Sequence, residues 1–227
     1  MGVFAVLGLG GFGYHVTTTL AADGHEVVAI DSNKEKIQSL KEIVTQAILT
    51  DATDKETLKA IGIQEVDAAI VNLGEEGFDS AMLVTLFLKE AGVKRIIVKV
   101  ANEDQAKILT QIGATEVIFP EKDMAIRLAK RLGSPNVYDH IDIGEDLQIV
   151  ELKAPANFEG KTVQKLDLRR KYNIQVIVIK RADSKTAGEG KACYNVVLPL
   201  PNEIIQRGDH LTVMGDHKAL DKLKRLK

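Results

Sequence analysis

Residues 8–13 and 31 carry the clearest chemistry in this chain: Gly8-Leu9-Gly10-Gly11-Phe12-Gly13, followed eighteen residues after the last glycine by Asp31. Glycines at this spacing let a tight turn form at Gly8, let backbone N–H groups approach a phosphate at Gly10, and let helix and strand pack closely at Gly13. An anion then sits at the positive end of the helix that starts in the loop, with Gly11 and Phe12 in its first turn. Asp31 is placed to accept hydrogen bonds from ribose hydroxyls. These residues describe a nucleotide site rather than a reaction centre.

A glycine pattern needs elements on both sides to mean anything, and both are present. An apolar strand (Phe4–Leu7) enters the loop, a helix continues through Leu20, and a second strand (Val27–Ile30) ends on Asp31. Further strands are expected at Gln46–Leu49, Ala68–Asn72, Arg95–Val100 and Glu116–Phe119, with helices between them and Asp54, Asp79 and Asn102 near helix starts. Runs that are apolar throughout indicate strands buried on both faces. The reading is an α/β, Rossmann-like doubly wound parallel sheet, followed by a small α+β C-terminal domain. Ligands of such sheets lie beyond the C-terminal strand ends. Asp31-Ser32-Asn33, Asp51-Ala52-Thr53, Asn72-Leu73-Gly74 and Lys99-Val100-Ala101 are therefore expected around one crevice, with Asp51 meeting a base or its ribose.

The pattern changes after Pro120. An amphipathic helix is expected over Glu121–Leu132, with Met124, Leu128 and Leu132 on one face, stopped by Gly133-Ser134-Pro135-Asn136. A smaller unit begins near Ile141: strands Leu147–Leu152 and Ile174–Lys180, a helix Thr162–Tyr172, a hairpin arm Tyr194–Leu198, a strand His210–Met214 and a last helix His217–Leu226. The polar stretch from Arg181 to Ala192 is expected to be an exposed, mobile loop. The division is thus 1–120 as nucleotide-binding domain, 121–140 as crossover helix and linker, and 141–227 as C-terminal domain.

Composition narrows the classes. The formal net charge is −2 with acids and bases interspersed, which gives no overall nucleic-acid footprint. Cys193 is the only cysteine, so no intrachain disulfide or thiolate cluster forms. The first apolar run is short and broken by glycine, so neither a signal peptide nor a span is expected, and the protein reads as soluble and cytoplasmic.

Beyond the glycine loop, the phrases "EVVAIDSN", "VKVANEDQAKILTQIGATEVIFPEKDMAIRLAK", "LDLRRKYNIQVIVIKR" and "PLPNEIIQRGDHLTVMG" resemble the regulatory subunits of the Trk/Ktr potassium-uptake systems, built from N- and C-terminal RCK domains. The likeness covers essentially the whole chain. It implies a homodimer assembling into a larger ring, an octamer in the family, on the cytosolic face of a membrane K⁺ translocating subunit, whose pore the nucleotide-dependent ring shape controls. ATP and ADP are the ligands implied, with NAD(H) or AMP as further candidates. It also implies that Glu121 helps hold a cation such as Mg²⁺ beside the phosphates, near an intersubunit junction. The small domain resembles the part that binds cyclic di-AMP in some relatives, which would place Asp167, Arg169, Ile174, Val176, Ile177 and Pro199 around that ligand. One departure stands out: Ktr-type subunits commonly carry an arginine in the loop where this chain has Gly11, and Lys99 is a candidate to supply the missing charge.

An NAD(P)-dependent oxidoreductase would begin with the same fold, but it needs a proton donor or acceptor facing the cofactor. None of His15, His25, His140, His210 and His217 belongs to an identifiable catalytic pattern, and no nucleophile elbow or metal-ligand cluster is evident. A nucleotide-sensing transcription factor would need a basic DNA-reading module, which is not seen. The reading is a non-enzymatic gating subunit.

Overall fold

A computed structural model describes residues 1–74, 76–133, 137–144, 146–182 and 194–224. The expectations for Ser134-Pro135-Asn136, for residues 183–192 and for Cys193 lie outside the described residues. The chain divides into two compact units, Met1–Asp123 and Met124–Lys227.

The first unit is a six-stranded parallel sheet formed by β1 (Val3–Leu7), β2 (Glu26–Asp31), β3 (Gln46–Leu49), β4 (Ala68–Val71), β5 (Ile96–Lys99) and β6 (Glu116–Ile118) in the order β3-β2-β1-β4-β5-β6. Helices α1 (Gly11–Ala22), α2 (Lys34–Leu40), α3 (Lys55–Ala60), α4 (Phe78–Glu90) and α5 (Glu103–Ile112) connect them. The continuous apolar strands have their explanation here. Ala5 and Leu7 of β1 pack in a cluster with Leu58, Val84 and Leu88, whereas Val6 packs in a separate cluster with Ile37 and Leu40. The central strands β1, β2 and β4 therefore bury both faces, while the edge strands β3 and β6 are partly exposed. The strand order reverses between β1 and β4, which opens the crevice next to the end of β1.

Helix starts follow side-chain chemistry. Asn33 Oδ1 accepts the N–H groups of Glu35 and Lys36 at 2.9 and 3.2 Å, and Asp54 Oδ1 those of Glu56 and Thr57 at 3.1 and 3.2 Å. Asn102 Oδ1 accepts the Gln105 N–H at 2.9 Å. Each satisfies donors that a first helical turn leaves without partners. Asp79 sits one residue inside α4 and is an acid of its first turn; the capping position is Gly77.

The helix α6 (Pro120–Leu132) starts in the first unit and has no buried residue. The second unit carries an antiparallel sheet of β7 (Val137–Ile143), β8 (Leu147–Lys153), β9 (Gln175–Ala182), β10 (Tyr194–Val197) and β11 (His210–Asp216), ordered β10-β9-β11-β8-β7. Burial alternates along β8, as a sheet covered on one face requires. Its covered face packs Val150, Leu152, Ile179 and Leu211 against Leu166, Leu168, Leu220 and Leu223 from α7 (Val163–Leu166), α8 (Leu168–Tyr172) and α9 (His217–Lys224).

Two local features differ from the sequence expectation. The segment from Val137 is strand β7, paired antiparallel with β8 with a register shift between Val137 and Asp139, where a linker was expected up to residue 140. The helix expected over Thr162–Tyr172 is two short helices separated at Asp167, whose φ of 48° is left-handed and cannot continue a right-handed turn.

Candidate functional site

At the C-terminal ends of β1, β2, β4 and β5 lies a cavity of about 490 Å³. The glycine loop forms its floor. Gly8 donates its N–H to the Ile30 carbonyl at 2.8 Å, and Tyr14 closes the first turn of α1 onto the Gly10 carbonyl at 2.9 Å. No side chain caps α1, whose capping residue is Gly10, so the first-turn N–H groups remain free to meet an anion.

Sterics fix two glycines. Gly8 has φ +96°, and a Cβ there would lie 2.0 Å from the Asn72 carbonyl oxygen. A Cβ on Gly13 would lie 2.0 Å from the Gly8 carbonyl oxygen and 2.9 Å from Asn72 Nδ2. Asn72, buried at the end of β4, locks this arrangement. It donates its backbone N–H to the Leu7 carbonyl at 2.8 Å and its side-chain N–H to the Gly8 carbonyl at 3.1 Å. Gly11 is different, since a Cβ there would have nothing within 4 Å.

Asp31 is 8% exposed and works on the loop itself. Its Oδ2 accepts the Leu9 N–H at 2.6 Å and lies 3.2 Å from Lys36 Nζ; its Oδ1 accepts the Asn33 N–H at 2.8 Å. A carboxylate oxygen accepts about two hydrogen bonds, so Oδ1 keeps capacity for a hydroxyl of a ligand. Asp51, exposed at the rim, has Oδ1 bonded by the Thr53 hydroxyl at 2.7 Å and the Thr53 N–H at 2.8 Å. Those bonds, the hydroxyl's first, hold its carboxyl below the usual carboxylate range. At the end of β5, Lys99 pairs with Glu121, in the first turn of α6, and the Lys99 hydrogen bond keeps the Glu121 carboxyl below its ordinary value.

The cavity brings together Gly8, Gly10, Gly11, Phe12, Asp31, Ser32, Asp51, Ala52, Asn72, Leu73, Gly74, Lys99 and Glu121 from the sequence expectations. Three expected residues do not line it. Gly13 serves helix–strand packing, Asn33 caps α2 and orients Asp31, and the Ala101 N–H is held by Gln105 Oε1 at 3.0 Å. Three lining residues were not anticipated: Lys36, Gly77 and Ser80. Lys36 had a signal, because the Asn33 cap makes it the third residue of α2 and turns it back toward Asp31. Gly77 is required by the close approach of Leu73, whose carbonyl oxygen would be 2.4 Å from a Cβ.

In the second unit, Ile174 and Val176 were expected to face a second messenger. They are 1% and 5% exposed and belong to the apolar core, where packing against the sheet claims their side chains. Asp167 and Ile177 are half-buried, Pro199 likewise, and Arg169 is exposed.

Among the described residues no group of three or more His, Cys, Asp or Glu could hold a metal ion. A single carboxylate such as Glu121 suits Mg²⁺ whose other ligands are phosphate oxygens and water. No histidine, cysteine or tyrosine lines the cavity among the described residues. No helix there is long and apolar enough to cross a membrane.

Both units resemble known proteins. The TrkA-N domain matches residues 4–120 and the TrkA-C domain residues 147–227. The Ktr system potassium uptake protein C of Bacillus subtilis (strain 168) is 37% identical over 222 residues, covering 98% of this chain and 96% of that protein. The Ktr system potassium uptake protein A of the same organism is 35% identical over 221 residues, covering 97% and 95%. Among solved structures, the GsuK channel superposes with a TM-score of 0.67 at 20% identity, covering 99% of this chain and 39% of that one. The GsuK RCK domain gives 0.65 at 20% identity, with 99% and 47% covered. The chain spans less than half of those solved chains, and at that identity they share its fold. With both domains matched and full-length relatives above 30% identity, the chain belongs to the TrkA-N/TrkA-C family of Ktr and Trk potassium uptake proteins.

Proposed function

We propose that the protein is a nucleotide-sensing regulatory subunit of a K⁺ uptake system, with residues 1–120 binding the ligand, α6 connecting, and the sheet that begins at Val137 and its helices forming a second regulatory domain. The observation that supports this reading is the crevice itself: a glycine loop at an uncapped helix start beside the buried carboxylate of Asp31, lined among the described residues by no histidine, cysteine or tyrosine. An oxidoreductase reading finds no comparable support, since the full-length relatives above 30% identity are potassium uptake proteins. The first-turn N–H groups of α1 would hold phosphates, Asp31 and Asp51 ribose or base, and Lys99 the outermost phosphate.

Regulation follows from linkage: a ligand shifts an assembly between shapes only through its different affinity for them. A phosphate drawing Lys99 away would release Glu121 from its ion pair and free that carboxylate for a cation or a neighbouring subunit. The partner would be a membrane K⁺ translocating subunit, and the protein would sit at the inner membrane face through it. A second copy would cover α6, where Met124 is 60% and Leu132 72% exposed. Leu128→Asp is therefore expected to lower the oligomeric state, read by light scattering; unchanged mass would rule out α6 as the contact.

Calorimetric titration of nucleotide-stripped protein with ATP, ADP, AMP, NAD⁺ and NADH, with and without Mg²⁺, tests the assignment. Tight binding of an adenine nucleotide without turnover is expected. No binding of any of them would reduce the glycine loop to architecture. Gly11→Arg gives a sharper check. The side chain has open space, and a guanidinium–phosphate bond is worth roughly 1.5–3 kcal/mol, so ATP should gain about tenfold over AMP. Equal changes for both ligands would mean that position 11 does not face the outer phosphates.

A further inference from the structure

The net charge of −2 conceals a division. Residues 1–123 carry 19 Asp and Glu against 11 Lys and Arg, whereas residues 124–227 carry 13 against 19, giving −8 and +6. Within the second unit the cations are also sorted. Several near the sheet are neutralised by the unit's own acids: Arg127 by Asp139, Lys130 by Asp142, Lys180 by Glu151, and Arg181 by Asp209 and Glu203, whereas Lys153 and Arg207 stand without an ion pair among the described residues. Those on the helical layer are not. Lys161, Lys165, Arg170, Lys218 and Lys222 are exposed and make no side-chain hydrogen bond or ion pair among the described residues, and Lys171 bonds only the Leu166 carbonyl.

These six line two adjacent cavities of about 690 and 480 Å³, which share Lys171 and Tyr172. Two acids line the cavities, Asp146 and Asp216, whose Oδ1 is already bonded by the Ala219 N–H at 2.7 Å, and two more sit on the layer, Asp167 between α7 and α8 and Asp221 on α9, so the band keeps an excess of cations rather than being free of acids. Unpaired cations repel one another, so their concentration on one layer of a chain with a net negative charge calls for an external polyanion.

We propose that this helical layer binds the anionic phospholipid headgroups of a membrane surface. Three features favour that occupant. A small phosphorylated ligand is held by buried, fixed donors in a pocket that encloses most of its surface, and here every one of the six cations is exposed. Five of the six are lysines, compact charges on flexible stems that follow a diffuse negative surface, where arginine would give planar, bidentate recognition of a single phosphate. Single-stranded nucleic acid calls for aromatic platforms on which bases stack, and Tyr172 is the only tyrosine in the band, half-buried against the core. With no large apolar side chain exposed in the band, binding is electrostatic and reversible by salt. It does not depend on the nucleotide crevice, which belongs to the other unit.

The test is co-sedimentation of the full chain with vesicles of phosphatidylcholine alone and of phosphatidylcholine mixed with phosphatidylglycerol. Only the anionic vesicles should retain the protein. Raising KCl from about 0.1 M to about 1 M, which shortens the screening length from about 10 Å to about 3 Å, should release it. Arg170→Gln/Lys218→Gln/Lys222→Gln should weaken retention about a hundredfold, while Lys41→Gln/Lys59→Gln/Lys94→Gln, the same charge change in the first unit, should not. Both variants should keep the wild-type thermal midpoint and nucleotide affinity. Equal retention on neutral vesicles, or equal behaviour of the two variants, overturns the proposal. So does a short RNA that binds more tightly than the anionic vesicles at equal phosphate concentration.

Discussion

Gly8→Ala is expected to cost the protein about 3 kcal/mol of folding stability and to abolish nucleotide binding. Two penalties coincide at this position. The backbone sits at φ +96°, where an L side chain is strained, and the new Cβ would lie 2.0 Å from the Asn72 carbonyl oxygen. That oxygen cannot swing aside as a flexible side chain would. Asn72 is hydrogen-bonded to β1 through its own N–H and to Gly8 through its amide, so relief means separating β1 from β4 or tearing the loop from its brace. Gly11→Ala provides the contrast. It enters open space in the first turn of α1, and by restricting the unfolded chain it should stabilise by about 0.5 kcal/mol. Chemical denaturation of the two variants reads both effects, and a common sign would mean that the loop is not held as described.

The second large effect is expected at Asp31. Three donors meet this carboxylate: the Leu9 N–H, the Asn33 N–H and the Lys36 ammonium. Asparagine keeps the shape but has one acceptor oxygen, so one of the two backbone N–H groups must face an NH₂. Asp31→Asn should therefore cost about 2 kcal/mol of stability. Affinity for adenine nucleotides should fall about a hundredfold, from loss of both the ribose contact and the ordered loop. Titration with inorganic triphosphate separates these causes. If Asp31 touches ribose, triphosphate affinity should fall much less than ATP affinity. Parallel losses would show that Asp31 acts only through the loop.

How far the sequence could be read depended on whether a signal was local. The crevice was legible because its determinants are steric and short-range: Gly8 and Gly13 answer to one backbone clash each, and Asp31 ends the strand that starts beside the loop. The parallel sheet was legible because β1, β2 and β4 are apolar on both faces. What escaped was set by distant partners. Strand β7 begins with Val-Tyr-Asp-His, which has no strand periodicity of its own and is held by its ladder with β8. Asp167 gave no warning that it would leave the right-handed region, because left-handed Asp depends on the turn it must make. Ile174 and Val176 fit the expected phrase equally well as ligand cover or as core, and only the helices across the sheet decide for core. Ser80 entered the site from the first turn of α4, whose placement at the crevice sequence periodicity does not define.

Gly11 separates two things that the rest of the loop keeps joined. At Gly8 and Gly13, any change that altered ligand choice would first have to survive folding, so these positions are closed to adjustment. Position 11 faces neither clash nor unusual backbone, and nothing lies within 4 Å of where a side chain would begin. A substitution there therefore hardly touches whether the chain folds. If position 11 faces the outer phosphates as proposed, ligand choice could be altered by substitution at one codon with the scaffold left unchanged, so that what is sensed and what folds are separable at this residue.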